Sequence, residues 1–550
     1  MSNVGGNLMV SVNENWLPHL HPEVCSEMEG NYLDAYVVAL EGWRRGLTLR
    51  WHVKDSEKFK EMKTWYVDQP GQLFSLHSKE KSHYFFRTRG DKVTNEAVEK
   101  GMDKQLTKQL LKEANIPVPE GRQFTRNDDD ETIIQYAETI GYPVVIKPTD
   151  GSFGRGVMSD INSEEELKYS LQYLREQLEE DNIILEKYIP GNDYRLYVVD
   201  DEVVGAILRV PPNVVGDGIN SIEALIEIKN SERQLNPRLT TCPIKINQEL
   251  VDYIRKSGYT LQTIPDKGEV IYLNDKGNIS IGGDPIDVLD DLSEEIKRVA
   301  VQALRAIPGL THGAVDMIID EEQEGKGYVI ELNPTAQIGG ILFPVKGKAR
   351  DIPAAIIDYY FPETKDVQTE KEKIYFDFHD VLEPLISRQG VISTVTPAPI
   401  GKIYMKKYTV FGDVQNYGYH LGLRKQAFER GLHGFVMNVD DNAIEIVVAG
   451  TDPEMVDDFK NGITEDEERA QVIEIQESDY DGYVKVGFDS RANLKDIAEE
   501  LELLRENIEE TNEEIRKLEI QKRKLQKSFS WRLTYPIRLA GAVIKFFTRS

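Results

Sequence analysis

The 550-residue sequence predicts an α+β protein of several domains that closes with a helical coil. Three observations carry that reading. At ordinary domain sizes the length is a prior of about three to four domains. From about residue 103, helix-spaced and strand-alternating segments interleave. From Leu494 onward, apolar residues recur at heptad positions.

Composition narrows the class. Hydrophobic residues make up 40% and charged residues 29%, which is ordinary for a soluble chain with a sizeable core. Lys and Arg number 66 against 94 Asp and Glu, a net charge of −28. That balance argues against a nucleic-acid partner. Two cysteines, Cys25 and Cys242, match no metal spacing and no disulfide framework. The start, "MSNVGGNLMVSVNENW", reads as no secretory signal, and no run of about 18 uninterrupted apolar residues occurs. The expected location is the cytoplasm.

The elements follow in order. Residues 1–100 form a small α/β domain. There "YLDAYVVALEGWRRG" has helical spacing and stops at Gly46, while "LTLRWHV" and "SHYFFRT" alternate as strands. Residues 101–362 form the largest domain. "DKQLTKQLLKEANI" reads as a helix and "VVIKP" as a strand. "SEEELKYSLQYLREQL" is a helix with a serine cap and an acidic first turn, and "NIILEKYI" is a strand. The charged "PETKDVQTEKEK" opens a linker over 363–399, and a smaller mixed unit spans 400–490. A coil over 491–527 places Leu494, Ile497, Leu501, Leu504, Ile508, Ile515, Leu518 and Leu525 on one seam, interrupted at Thr511. Self-association through it is the expectation. A basic amphipathic tail fills 528–550.

Chemistry concentrates around "YPVVIKPTDGSFGRGV", residues 142–157. A lysine on an interior strand, Lys147, needs an anion to face or it loses its charge by desolvation. The glycines that follow, Gly151, Gly154 and Gly156, expose backbone N–H groups suited to phosphate oxygens. No Walker-type phosphate motif occurs. Upstream, Lys104 opens a helix. Downstream, a strand leads to a short hinge of Glu186, Lys187, Tyr188 and Ile189, then Asp193 and Arg195. "GAVDMIID" sets Asp316 on a strand, and "YVIELNP" sets Glu331 and Asn333 two residues apart, hence on one strand face. Their oxygen-only donors suit Mg²⁺ bridging nucleotide phosphates.

On "DKQLTKQLLKEANIPVPEG", "VVIKPTDGSFGRGV", "LEKYIPGNDYRLYVV", "GAILRVPPNVVGDGINSIEALI" and "YVIELNPTAQIGG", residues 100–362 resemble an ATP-grasp carboxylate–amine ligase domain. The variety is that of cyanophycin synthetases and bifunctional glutathione synthetases. The resemblance implies an ATP-dependent ligase that forms a C–N bond through an acyl phosphate. It implies that Lys104 and Lys147 touch the ATP phosphates. The loop of Gly151, Ser152, Phe153, Gly154, Arg155 and Gly156 would close over them. Glu186, Lys187, Tyr188 and Ile189 would hold the adenine, and Asp193 the ribose. Asp316, Glu331 and Asn333 would hold Mg²⁺ or Mn²⁺. Arg209 would face the transferring phosphate or acyl phosphate, so that it and Lys147 carry catalysis, and Arg195 would bind the acid. The partners are a small-molecule or peptide carboxylate and an amine, with a cell-envelope precursor or amino acid among the candidates. Cyanophycin synthetases carry a second, Walker-containing ligase domain. No Walker motif lies in these 550 residues, so that polymer-forming activity is not expected.

Residues 414–450 resemble the acylphosphatase fold, a small α/β sandwich, in "VQNYGYH" and "GFVMN". His420 stands where that family has its phosphate-binding arginine, and Asn438 keeps the second position. Histidine lacks the guanidinium fork, so acylphosphatase activity is not expected. Arg424 lies one helical turn further on. In the tail "SFSWRLTYPIRLAGAVIKFFTRS", basic and aromatic residues alternate without acids. An anionic membrane surface at the inner face is one reading and a docking tail for protein the other. The rival to the ligase is a coiled-coil, membrane-associated adaptor with a regulatory nucleotide domain.

Overall fold

A computed structural model describes residues 15–25, 28–149, 156–320, 325–415, 417–440, 442–465 and 470–491, together with Thr511, Ile515, Lys517 and Leu518. The described residues fall into two units: those of 1–404 and 481–486, and those of 405–480 and 487–550.

The first unit opens with the helix Asn31–Arg44, buried along Leu33, Tyr36, Val37, Leu40 and Trp43. It ends two residues before Gly46, whose φ of 83° suits the left-handed turn that lets the strand Thr48–His52 begin. That strand lies in a five-stranded antiparallel sheet ordered Ile392–Thr394, Thr48–His52, Leu73–His77, Ser82–Phe86, Arg89–Gly90.

The segment 363–399, expected as a linker, carries secondary structure of its own. It contains the helix Phe378–Ile386 and the strand Ile392–Thr394, which is the edge of the N-terminal sheet. Phe376 and Phe378 pack edge-on against Tyr36, at 5.1 and 5.5 Å. Phe378 also meets Trp51 at 5.2 Å. Of the charges that read as solvated, Glu363, Lys365, Asp366 and Glu372 are exposed, while Glu370, Lys371 and Lys373 are half-buried. Lys371 Nζ, for one, reaches Glu41 Oε1 at 2.6 Å.

The larger domain holds two sheets. A four-stranded antiparallel sheet runs in the order Gly121–Phe124, Ile183–Lys187, Val144–Pro148, Met158–Ile161. Its core joins Val144, Ile146, Ile183 and Leu185 to Ile133, Ala137, Leu167 and Leu171 of the helices Asp130–Ile140 and Glu164–Gln172. Gly121 is required at its edge, because a Cβ there would come within 2.3 Å of the Leu185 carbonyl oxygen. The second sheet is five-stranded and antiparallel: Asp284–Asp287, Glu202–Val210, Asn192–Val199, His312–Asp320, Lys326–Asn333. The helix Glu294–Arg305 packs against it. Between strands of this sheet the chain leaves to build a satellite with its own core. The satellite comprises the helices Ile222–Arg233 and Gln248–Lys256 and the paired strands Asn213–Val215 and Val270–Tyr272.

The second unit is a five-stranded sheet ordered Gln471–Asp479, Tyr404–Asp413, Ala443–Gly450, His433–Asp440, Phe488–Arg491. The helices Tyr417–Glu429 and Pro453–Thr464 cover one face. Tyr419 Oη donates to the Ile463 carbonyl at 2.7 Å, and the Phe459 ring lies 6.2 Å from Phe488. The heptad seam and the basic tail lie outside the described residues except for Thr511, Ile515, Lys517 and Leu518. Those four are helical, and Ile515 and Leu518 are exposed. Among the described residues no helix is long and apolar enough to cross a membrane.

Candidate active site

Strand register gathers six of the expected site residues on one face of the larger sheet. Asp316 sits opposite Glu331 on one neighbour and opposite Arg195 on the other. Directly opposed residues share a face, as do residues two apart on a strand. Asp193, Arg195, Arg209, Asp316, Glu331 and Asn333 therefore all project from the same side. Asp316, 5% exposed, takes a bidentate pair from Arg195, with Nε 2.8 Å from Oδ1 and Nη2 2.9 Å from Oδ2. Arg209 Nη2 lies 2.5 Å from Asp193 Oδ1 and 3.2 Å from Asp316 Oδ2. Burial alone would raise the Asp316 pKa, but Arg195 and Arg209 bring it down to about 2. Asp193 is held above the ordinary carboxylate range by burial and the Asp316 charge, against the pull of Arg209. Glu331 keeps solvent access, yet crowding by the surrounding protein and repulsion from Asp316 raise its pKa.

The small sheet supplies the lysine. Val145 pairs with Glu186 and Lys147 with Ile184, so Lys147 and Glu186 share a face one step apart. Lys147 Nζ donates to Glu186 Oε2 at 2.8 Å. A second ammonium, which the sequence reading did not single out, completes the contact. Lys108 Nζ donates to Glu186 Oε1 at 2.7 Å. Lys108 and Lys147 are each 9% exposed and Glu186 is 7%. Burial would raise the Glu186 pKa, but Lys147 and then Lys108 pull it down to about 2. Lys108 comes from the helix Lys104–Glu113, which Asp103 caps by accepting from the N–H groups of Gln105 and Leu106 at 3.0 and 2.9 Å. Lys104 and Lys108 are four apart and lie on one side of that helix. One cleft is lined by Lys104, Lys108, Lys147, Glu186 and Glu331.

In the hinge, the N–H groups of Lys187 and Tyr188 already donate to the carbonyls of Glu120 and Pro143, at 2.7 and 3.1 Å. Lys187 Nζ donates to the Gly141 and Tyr142 carbonyls, both at 2.9 Å, which closes the end of the helix Asp130–Ile140. Of the glycine loop, Gly151, Ser152, Phe153, Gly154 and Arg155 lie outside the described residues. Gly156 has a φ of 72°. Asp34 is a further contributor that no motif announced. Its Oδ1 accepts from Ile338 N at 2.9 Å and fixes the loop after Asn333. Burial raises the Asp34 pKa to about 6.

In the second unit, His420 is 5% exposed and its Nδ1 lies 3.1 Å from Ser490 Oγ. Ser490 pairs with Val436, which shares a face with Asn438, so the helix-borne histidine and Asn438 address the same side of the sheet. Among the described residues, Asn438 Oδ1 is buried without a hydrogen-bond partner, and the His420 imidazole also lies against the Val414 backbone. Burial lowers the His420 pKa.

Comparison with known proteins gives two family matches. Residues 101–217 match the RimK-like ATP-grasp domain, and residues 406–490 match acylphosphatase. The chain carries an ATP-grasp domain. Cyanophycin synthetase from Trichormus variabilis (strain ATCC 29413 / PCC 7937) is 30% identical over 373 residues, covering 66% of this chain and 39% of that protein. The glutathione biosynthesis bifunctional protein GshAB from Clostridium perfringens (strain 13 / Type A) is 33% identical over 265 residues, covering 47% of this chain and 34% of its own. Among solved structures, a bifunctional glutathione synthetase from Pasteurella multocida shows 27% identity and a TM-score of 0.42, over 53% of this chain and 41% of that one. The chain spans about a third to two-fifths of the length of these curated relatives.

Asp316, Glu331 and Asn333 are oxygen donors of the kind magnesium takes, and both Asp316 oxygens are engaged by Arg195 and Arg209 in this state. Asp316 and Glu331 oppose each other across a strand pair, and the repulsion between them is what a divalent cation relieves. Asn333 follows on the same face, its Oδ1 accepting from Thr335 N at 3.2 Å. Among the described residues no three His, Cys, Asp or Glu side chains are gathered for a metal ion, so a magnesium set on this face would need the asparagine as its third ligand.

Proposed function

We propose that this ATP-grasp domain joins a carboxylate to an amine with ATP, through an acyl phosphate. The observation that carries the reading is the opposition, across one cleft, of a lysine set and an acidic set. Lys104, Lys108 and Lys147 line it with Glu186, and Glu331 lines it from the sheet that also holds Asp316.

A carboxylate oxygen attacks the γ-phosphorus and the bond to ADP breaks. The amine nitrogen then attacks the acyl carbon, forming the C–N bond as phosphate leaves. Lys104 and Lys147 balance the phosphate charge. Arg209, buried beside Asp316 and Asp193, is a fixed cation for the oxygens on which charge builds, with its own pKa raised by both acids. Arg195, in this reading, turns from Asp316 toward the acid substrate. Asp316, Glu331 and Asn333 would hold Mg²⁺, or Mn²⁺, which supplies Lewis-acid stabilisation of the transferring phosphoryl group. With two hinge N–H groups already engaged, adenine would be held by the remaining backbone groups of 186–189, and Asp193 would take the ribose once Arg209 yields it. The loop over 151–156 would close to exclude water, which otherwise hydrolyses the acyl phosphate. The substrates are small-molecule or peptide acids and amines. The coil over 491–527 would assemble copies of the chain, and the tail would hold them at an anionic membrane face.

The test is ADP release by the full chain with ATP and Mg²⁺ against panels of amino acids and cell-wall precursors. Release that requires one acid and one amine together is the expected result. ADP release indifferent to every acid and amine would sink the assignment.

A further inference from the structure

The contact between Lys108, Glu186 and Lys147 has more cations than the ATP-grasp reading uses. Lys147 stands before the glycine loop and has a phosphate to meet. Its ammonium is nonetheless bound at 2.8 Å to a carboxylate that is 7% exposed. If Lys147 moves to a phosphate, Glu186 loses one of its two counter-ions inside the protein. A buried carboxylate left without a partner is strongly unfavourable. Lys108, at 2.7 Å on the other oxygen, prevents that. It reaches Glu186 from a different element, the helix Lys104–Glu113, so it can stay in place while the strand lysine shifts.

The geometry points to Lys108 as a positioning residue for nucleotide binding. By keeping Glu186 neutralised, it frees Lys147 to exchange a carboxylate for a phosphate. This rests on the nucleotide reading above, although not on the identity of the acid or the amine. Lys108 acts through Glu186 and need not touch the nucleotide. The same arrangement makes Glu186 a brake: without Lys108, its full charge falls on Lys147 and holds it back.

The test uses the full chain and two readouts. The first is affinity for ATP with Mg²⁺, by calorimetry without acid or amine, so that failed ligation and failed nucleotide binding remain distinct. Lys108→Met should weaken ATP binding by about tenfold or more, as expected for uncompensating a buried pair. Lys108→Arg should keep affinity close to that of the parent. Adding Glu186→Gln to Lys108→Met should recover at least about threefold of the lost affinity, because a carboxamide needs no counter-ion and the adenine contacts assigned to 186–189 are made by backbone groups. The second readout is thermal unfolding without nucleotide, where Lys108→Met should destabilise more in the parent than in the Glu186→Gln background. Double-variant binding as weak as that of Lys108→Met would mean that Lys108 meets the nucleotide itself, and the inference fails. Parental affinity in Lys108→Met overturns it equally. A parent chain that binds no ATP overturns the functional reading and this inference with it.

Discussion

At Lys147 and Glu331 the proposed chemistry depends on single charges. Lys147→Ala removes the ammonium that would meet a phosphate, and Glu331→Ala removes the carboxylate opposed to Asp316. Each should lower substrate-dependent ADP release by about 100-fold or more, the scale for losing one preorganised electrostatic group. Circular dichroism should remain that of the parent chain. Near-normal turnover in both purified variants would defeat the ligase reading. These positions were legible in the sequence because a strand has period two. "ELN" fixes Glu331 and Asn333 on one side, and an apolar strand holding one lysine requires an anion. The partners of those groups were not legible. In "DKQLTKQLL" nothing distinguishes Lys108 from any surface lysine until the fold brings Glu186 to it, 78 residues away in sequence. The resemblance implies an acid-binding role for Arg195, and in the folded chain its guanidinium lies on Asp316. His420 carries the second residue-scale prediction. Burial lowers its pKa and so favours the neutral imidazole, which balances a phosphate dianion less well than a fixed guanidinium does. The full chain should hydrolyse benzoyl phosphate no faster than buffer, and His420→Arg should raise the rate at least about tenfold by restoring a fixed guanidinium. Fast hydrolysis by the parent that disappears in Asn438→Ala would show that the histidine site is competent as it stands.

At the scale of elements, the two sheets of the ATP-grasp domain place carboxylates against cations, and this makes stability depend on acid. Glu186 and Asp316 both titrate at about 2 in the folded chain, below the usual carboxylate values of about 4 in an unfolded one. In that window the unfolded chain binds more protons, so stability rises with pH. Their contribution is complete above about pH 4.5 and is lost as pH falls toward 2. Asp34, Asp193 and Glu331, whose pKa values burial raises, act in the opposite sense, so the Glu186 contribution is read as the difference between parent and variant in the fall of urea unfolding free energy from pH 5 to pH 3. In Lys147→Met, whose Glu186 keeps one cation, the fall should be shallower, by on the order of 1 kcal/mol. An equal or steeper fall in the variant would mean that Lys147 does not set the charge of Glu186. Helices and strands with strong periodicity were legible at this scale, down to the turn at Gly46. The segment 363–399 was not. Its charges resemble a solvated linker, while the reason it folds is remote: Phe376 and Phe378 need Tyr36 and Trp51, and Ile392 pairs with His52, 340 residues earlier. Pairing over such separations leaves no local trace in composition.

For the whole molecule, the proposed assembly rests on a pattern that sequence alone supplies. Leu and Ile fill nearly every seam position from Leu494 to Leu525, and burying each contributes about 1.5–3 kcal/mol before entropy is subtracted. Ile515 and Leu518, the two apolar seam residues that are described, are helical and exposed. Thr511 and Lys522 weaken the seam, so association should depend on concentration. A parallel pair sets two basic-aromatic tails side by side, and paired weak anchors bind an anionic surface far better than one. Deleting 491–550 should therefore leave substrate-dependent ADP release largely unchanged, since every residue assigned to that chemistry lies before residue 334. The same deletion should reduce the mass seen by light scattering to that of one chain and release the protein from anionic vesicles in co-sedimentation. An unchanged oligomeric mass after truncation would remove the coil as the assembly element. A full-length chain that ignores anionic vesicles while remaining oligomeric would assign the tail to a protein partner and leave the coil intact.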